Sequence, residues 1–118
     1  AAHDTLTGHA FLTEWAAHAH WPGMDDLLRE LSARHCTVRV MGSTALSLVQ
    51  VAAGRAVAAA IGEFHPVDAL PPLLIATEAG AVAVPELPAY DTPLLLVAPE
   101  AAREATALWE KTVLSRGE

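Results

Sequence analysis

One change of period constrains this chain more than any other feature. Cys36-Thr37-Val38-Arg39-Val40-Met41 alternates and is β-branched in its middle, which reads as a strand. Gly42-Ser43-Thr44 follows at once. From Ala45 to Ala53 the apolar residues recur with helical spacing, and Gly54 stands where a C′ glycine ends a helix. A strand that passes into a helix within three residues is the repeating step of layered α/β folds.

The same step recurs along the chain. Ala10 to Trp15 has the make-up of a strand, and Trp21-Pro22-Gly23 signals a turn. Met24, Leu27, Leu28 and Leu31 fall at i, i+3, i+4 and i+7, with Asp25 and Asp26 in the first turn, as an amphipathic helix and its dipole require. Arg55 to Ile61 is a short apolar run suited to a buried strand, and Gly62 to Pro66 is a loop. A helix follows to about Ala79, closed by Gly80. Pro71-Pro72 is tolerated only near a helix start, which moves the expected start toward the pair. Ala81–Val84 and Leu94–Val97 read as strands, and Pro99 suits the first position of a last helix ending near Leu114. The expected fold is a three-layer α/β/α sandwich around a mixed sheet of about five strands.

Residues 1–118 amount to one domain, because a second core would not fit. Apolar residues other than Gly make up 53% of the chain, more than one small core comfortably hides, so part of that surface is expected to meet a partner. The net charge is −7 and the only lysine is Lys111, which excludes a basic patch for nucleic acid or an anionic membrane. Cys36 has no second cysteine to pair with, no apolar run reaches about 18 residues, and no signal-peptide pattern opens the chain. These features predict a cytoplasmic protein.

Two local features carry chemistry. After Met41, small residues at Gly42-Ser43-Thr44 let backbone approach a ligand, and a helix start offers N–H groups to an anion; the same segment also reads as a turn with a Ser cap. Asp68, in Glu63-Phe64-His65-Pro66-Val67-Asp68, is either an N-cap or a ligand. In order with these stand Val51-Ala52-Ala53-Gly54-Arg55 and Thr77-Glu78-Ala79-Gly80. Together the four blocks, from about Val38 to Val84, resemble the C-terminal signature of the inositol monophosphatase family.

The resemblance implies a C-terminal half of a Mg²⁺-dependent sugar- or polyol-phosphate phosphatase. It implies that Asp68 ligates catalytic Mg²⁺ and that Gly42, Ser43 and Thr44 line the substrate, a phosphorylated small molecule. The family's other carboxylates belong to an Asp-Pro-x-Asp-Gly-Thr/Ser block and a glutamate of the N-terminal half, and no such block occurs here. The expected partner is that missing half, and the chain alone is expected to be inactive and to pair as a homodimer through its exposed apolar face. The pattern departs from the family at Ile61, where a sugar-contacting glutamate would fall, and at Val67, where a Trp precedes the metal aspartate. These departures carry the alternative reading, a phosphatase-like binding or interaction module without catalysis.

Other residues have simpler readings. His18 and His20 have metal-like spacing but no recognisable third ligand. His65 reads as a solvated loop histidine, Cys36 as a small buried hydrophobe, and Trp15, Trp21 and Trp109 as core or interface anchors. Glu78 reads as a helix-end residue.

Overall fold

A computed structural model describes residues 6–15 and 19–114. Five strands, β1 (Ala10–Thr13), β2 (Thr37–Val40), β3 (Ala58–Ile61), β4 (Val82–Val84) and β5 (Leu94–Val97), form one sheet in the order β2-β1-β3-β5-β4. The first three strands run parallel, while β5 is antiparallel to both β3 and β4. Helices α1 (Met24–Ala33) and α4 (Ala102–Thr112) cover one face, and α2 (Thr44–Ala52) and α3 (Pro66–Glu78) cover the other. The expected α/β sandwich with a mixed five-stranded sheet is what forms.

Side-chain alternation divides the core into two clusters. Phe11, Ala58, Ala60, Leu95 and Val97 point toward Met24, Leu27 and Leu31 of α1 and Ala105, Leu108 and Trp109 of α4. Leu12, Ala59, Ile61, Leu94 and Leu96 point the other way, toward Leu48 and Val51 of α2 and Ala69, Leu73 and Ala76 of α3. Every residue of β3 and β5 is buried, as a strand covered on both faces requires. The edge strand β2 is mostly exposed and alternates Val with Thr and Arg. Small alanines in β3 bring the helical layers close to the sheet centre.

One expectation is corrected here. Helix α3 begins at Pro66, in its first turn, and runs unbroken through Pro71 and Pro72 to Glu78. Each inner proline removes one bond to the carbonyl four residues earlier, at Val67 and Asp68. Both of those residues are exposed, so the carbonyls need not be left buried without a partner. Asp68 therefore stays in the first turn. The strand read at Arg55–Ile61 starts only at Ala58, because the turn leaving α2 takes up the residues before it. Pro99 opens a 3₁₀ turn, Pro99–Ala101, and α4 follows directly. No helix among the described residues is long and apolar enough to cross a membrane.

Candidate functional site

The topology selects one edge of the sheet. Neighbouring strands β1 and β3 lead into helices on opposite faces, so their C-terminal ends flank a topological switch point, where open α/β sheets bind ligands. The β2–α2 turn, the start of α3 and the β4–β5 loop all come to this edge.

Glu14, just beyond β1, organises it. Its carboxylate is nine-tenths buried, and Oε2 accepts from the Met41 backbone N–H at 3.1 Å and from the Ser47 hydroxyl at 2.7 Å. A buried carboxylate is tolerated when hydrogen bonds satisfy it, and these tie the end of β1 to the β2–α2 turn. The Trp21 indole N–H donates to the Glu14 carbonyl at 2.9 Å. Trp21 in turn lies against Gly62, where an added Cβ would come within 2.2 Å of the ring. Only glycine fits beneath that tryptophan.

Ser43 takes extended backbone angles and its Oγ accepts from the Leu46 N–H at 3.1 Å, capping α2. The hydroxyl oxygen thus caps the helix, as the simpler reading of this segment had it, while its O–H stays available to donate. Gly42, at φ 81°, turns the chain with open space above its Cα. Thr44 is the first residue of α2, whose opening N–H groups have no partner within the helix. Gly42 to Thr44 therefore offers backbone N–H groups and the Ser43 O–H as donors.

Asp68 is exposed in the first turn of α3, and its carboxylate makes no hydrogen bond or ion pair among the described residues. The N-cap position belongs to His65, so Asp68 is not the cap that its spacing also allowed. Beside this helix start lies a group that sequence reasoning missed. Glu63, His65 and Asp91 bring one ligand atom each to within 4.8 Å of one another. His65 Nε2 is 3.4 Å from Asp91 Oδ1, and its ring stacks on Tyr90 with centroids 5.3 Å apart. The two loops are joined by Phe64 N–H to Thr92 O at 2.9 Å and Asp91 N–H to Phe64 O at 2.7 Å. The separation of 26 residues between His65 and Asp91 hid this pairing; the antiparallel return of β5 beside β3 creates it.

The remaining candidates lie elsewhere. Ile61 is 2% exposed at the end of β3 and belongs to the core beneath α2 and α3. Val67 is 91% exposed. His18 lies outside the described residues, whereas His20 pairs with Asp25 and stacks on Trp15. Burial, with the Glu104 charge adding to it, pushes the Cys36 thiol up to about 11, so it is neutral and unreactive near pH 7. Trp21 and Trp109 are core residues 5.9 Å apart, and Trp15 is exposed. Glu78 closes α3 at the surface.

Comparison with known proteins agrees with this architecture. The sequence profile of the inositol monophosphatase family matches residues 4–110, well beyond the Val38–Val84 window in which motif letters alone are legible. Mycobacterium tuberculosis SuhB superimposes with a TM-score of 0.77 at 29% identity, over 93% of this chain and 44% of that one. A Thermotoga maritima IMPase gives 0.76 at 20% identity, over 95% and 44%. The inositol monophosphatase II of Staphylococcus aureus gives 0.69 at 19%, over 92% and 44%, and these two likenesses establish shared fold alone. No curated protein sequence matches the chain. The chain spans less than half the length of the solved structures it resembles. It belongs to the inositol monophosphatase family.

Proposed function

We propose that this chain is the C-terminal α/β domain of a Mg²⁺-dependent phosphatase acting on a small sugar or polyol phosphate, and that it is inactive alone. The observation that carries this reading is the arrival of two helix starts at one sheet edge: the Gly42–Thr44 turn after β2, and Asp68 after β3. Backbone N–H groups at the first suit a phosphate, and an unpaired exposed carboxylate at the second suits a hard cation. Asp68 fits Mg²⁺ as one ligand of a shared site, since such an ion takes several oxygens and one carboxylate cannot hold it. The bound ion would supply positive charge at the phosphate and at the leaving oxygen. In this chain, Gly42–Thr44 orients the phosphate, Glu14 holds that turn, and Asp68 contributes a ligand. The remaining carboxylates come from a partner, the N-terminal half of the same protein. The low basic content and lone cysteine support a cytoplasmic setting.

The reading is tested by phosphate release from a panel of sugar phosphates with Mg²⁺, comparing this chain with a longer protein that contains it. Activity in the longer protein, its loss on Asp68→Asn, and none in the 118-residue chain are expected. A longer protein inert on every substrate, with no Mg²⁺ binding, favours the second reading, a binding or interaction module. That reading has its own support: where the resemblance puts a sugar-contacting glutamate, Ile61 is buried in the core.

A further inference from the structure

One group of ligand-bearing side chains has no part in the proposed function. His65, the N-cap of α3, has extended backbone angles, and neighbours along such backbone point to opposite sides. Phe64 turns inward and is 1% exposed in the core beneath α2 and α3. Glu63 and His65, on either side of it, face outward; Glu63 is half-buried and His65 exposed. The β4–β5 loop brings Asp91 to the same place. Two backbone hydrogen bonds between Phe64 and the Asp91–Thr92 segment fix the loops against each other. The Thr92 hydroxyl donates to the Ala89 carbonyl at 2.7 Å and closes the turn that carries Asp91. The Tyr90 ring lies within 19° of the His65 plane and sets the orientation of the imidazole. Backbone and core packing thus assemble the three groups, not their attraction for one another.

Two carboxylates and an imidazole, with ligand atoms within 4.8 Å of one another, favour a cation among them. Neither Glu63 nor Asp91 pairs with a Lys or Arg among the described residues. The 3.4 Å from His65 Nε2 to Asp91 Oδ1 is long for an N–H···O hydrogen bond. It is close to the spacing of two ligands on a tetrahedral zinc ion, about 3.3 Å for bonds of about 2.0–2.1 Å. A nitrogen ligand favours Zn²⁺ and its transition-metal neighbours, whereas Mg²⁺ prefers oxygen alone. Three protein ligands leave a fourth position for water. We infer that Glu63, His65 and Asp91 form a binding site for a divalent transition-metal ion, with Zn²⁺ the best match. Asp68 is not among its ligands, so the site is separate from the Mg²⁺ position of the proposed function and does not depend on it.

The experiment is calorimetric titration of the tag-free 118-residue chain with Zn²⁺ and, separately, with Mg²⁺. One Zn²⁺ should bind per chain, at least about tenfold more tightly than Mg²⁺. His65→Ala and Asp91→Asn should each weaken Zn²⁺ binding by about tenfold or more, and Glu63→Gln should weaken it as well. His20→Ala removes the other exposed imidazole that pairs with an aspartate, and should leave the affinity unchanged. A second measurement needs no substitution: Zn²⁺ should shift the imidazole NMR resonances of His65 and leave those of His20 in place. Absence of Zn²⁺ binding overturns the inference, and so do equal affinities for Zn²⁺ and Mg²⁺. So does a Zn²⁺ affinity that His65→Ala and Asp91→Asn leave intact, or a shift at His20 with none at His65. A loss on Asp68→Asn as large as that on His65→Ala would place the ion at the Asp68 position and overturn it too. Phosphate release by the longer protein is read separately: its absence sinks the phosphatase reading and leaves the zinc site standing.

Discussion

The two helical layers bury the same kind of core yet meet the outside differently. The α1–α4 layer presents ion pairs: Arg29 to Asp26 at 3.1 Å, Arg34 to Glu30 at 2.8 Å and to the buried Glu104 at 3.1 Å, and Lys111 to Glu30 at 3.2 Å. Glu104 also accepts from the Leu6 N–H, which fastens the start of the described chain to α4. The α2–α3 layer presents Leu, Val and Ile instead. A layer finished against water spends its outer positions on charge, because a charged head group keeps its hydration there. Outer positions left apolar gain no such hydration. The candidate site lies on the second layer, at the starts of its two helices. The candidate site and the apolar outer surface thus belong to the same side of the molecule.

The largest effects should not distinguish the layers, because inward residues serve one sheet. Trp109→Ala should cost about 3–5 kcal/mol and Leu48→Ala about 2–5 kcal/mol in urea unfolding. A value near zero for Leu48→Ala would show that the α2–α3 layer is loosely packed in the isolated chain. Next comes Glu14→Ala, which takes one acceptor from the Ser47 hydroxyl and one from the Met41 N–H but leaves them the Ser43 carbonyl at 3.1 Å and the Thr13 carbonyl at 3.4 Å, and should cost about 0.5–1.5 kcal/mol. Amide exchange should rise from Met41 to Leu46 in that variant; unchanged protection there would sink its role in holding the turn. At the surface the layers should part. Ile75→Glu should change the stability of the free chain by no more than about 0.5 kcal/mol.

The smallest effect is a matter of pH on the charged layer. Hydrogen bonds from Arg34 and Lys111 hold the Glu30 carboxyl below its ordinary 4.5. A carboxyl lowered in the folded state adds stability above its unfolded value, and that stability is lost as pH falls through the lower folded value. Glu30→Gln should therefore flatten the acid limb of the stability curve below about pH 4.5 and leave the α2–α3 layer untouched. An acid limb unchanged by the substitution would mean that these pairs contribute nothing to folding.

Local order in the chain already determined much of this. Met24, Leu27 and Leu31 are buried as their spacing requires, Ser43 caps the helix it precedes, and the alternation of strands and helices yields the layered sheet. These are periodic or adjacent signals, and backbone geometry turns them into structure without distant help. The high apolar content is matched by exposed Leu, Val and Ile on α2 and α3, whose positions composition could not give. Tertiary structure decided the rest. Ala58-Ala59-Ala60-Ile61 is a central strand only because Leu12 and Leu96 flank it; four such residues have no period of their own. Glu14 becomes the fastening of the β2–α2 turn through partners 27 and 33 positions away. Asp91 reaches His65 because β5 returns antiparallel beside β3. α3 carries two inner prolines because the carbonyls they deprive belong to exposed residues. Periodicity and capping are properties of neighbours in sequence, whereas burial, partnership and tolerance are set by what the folded sheet brings alongside, and only the fold contains that.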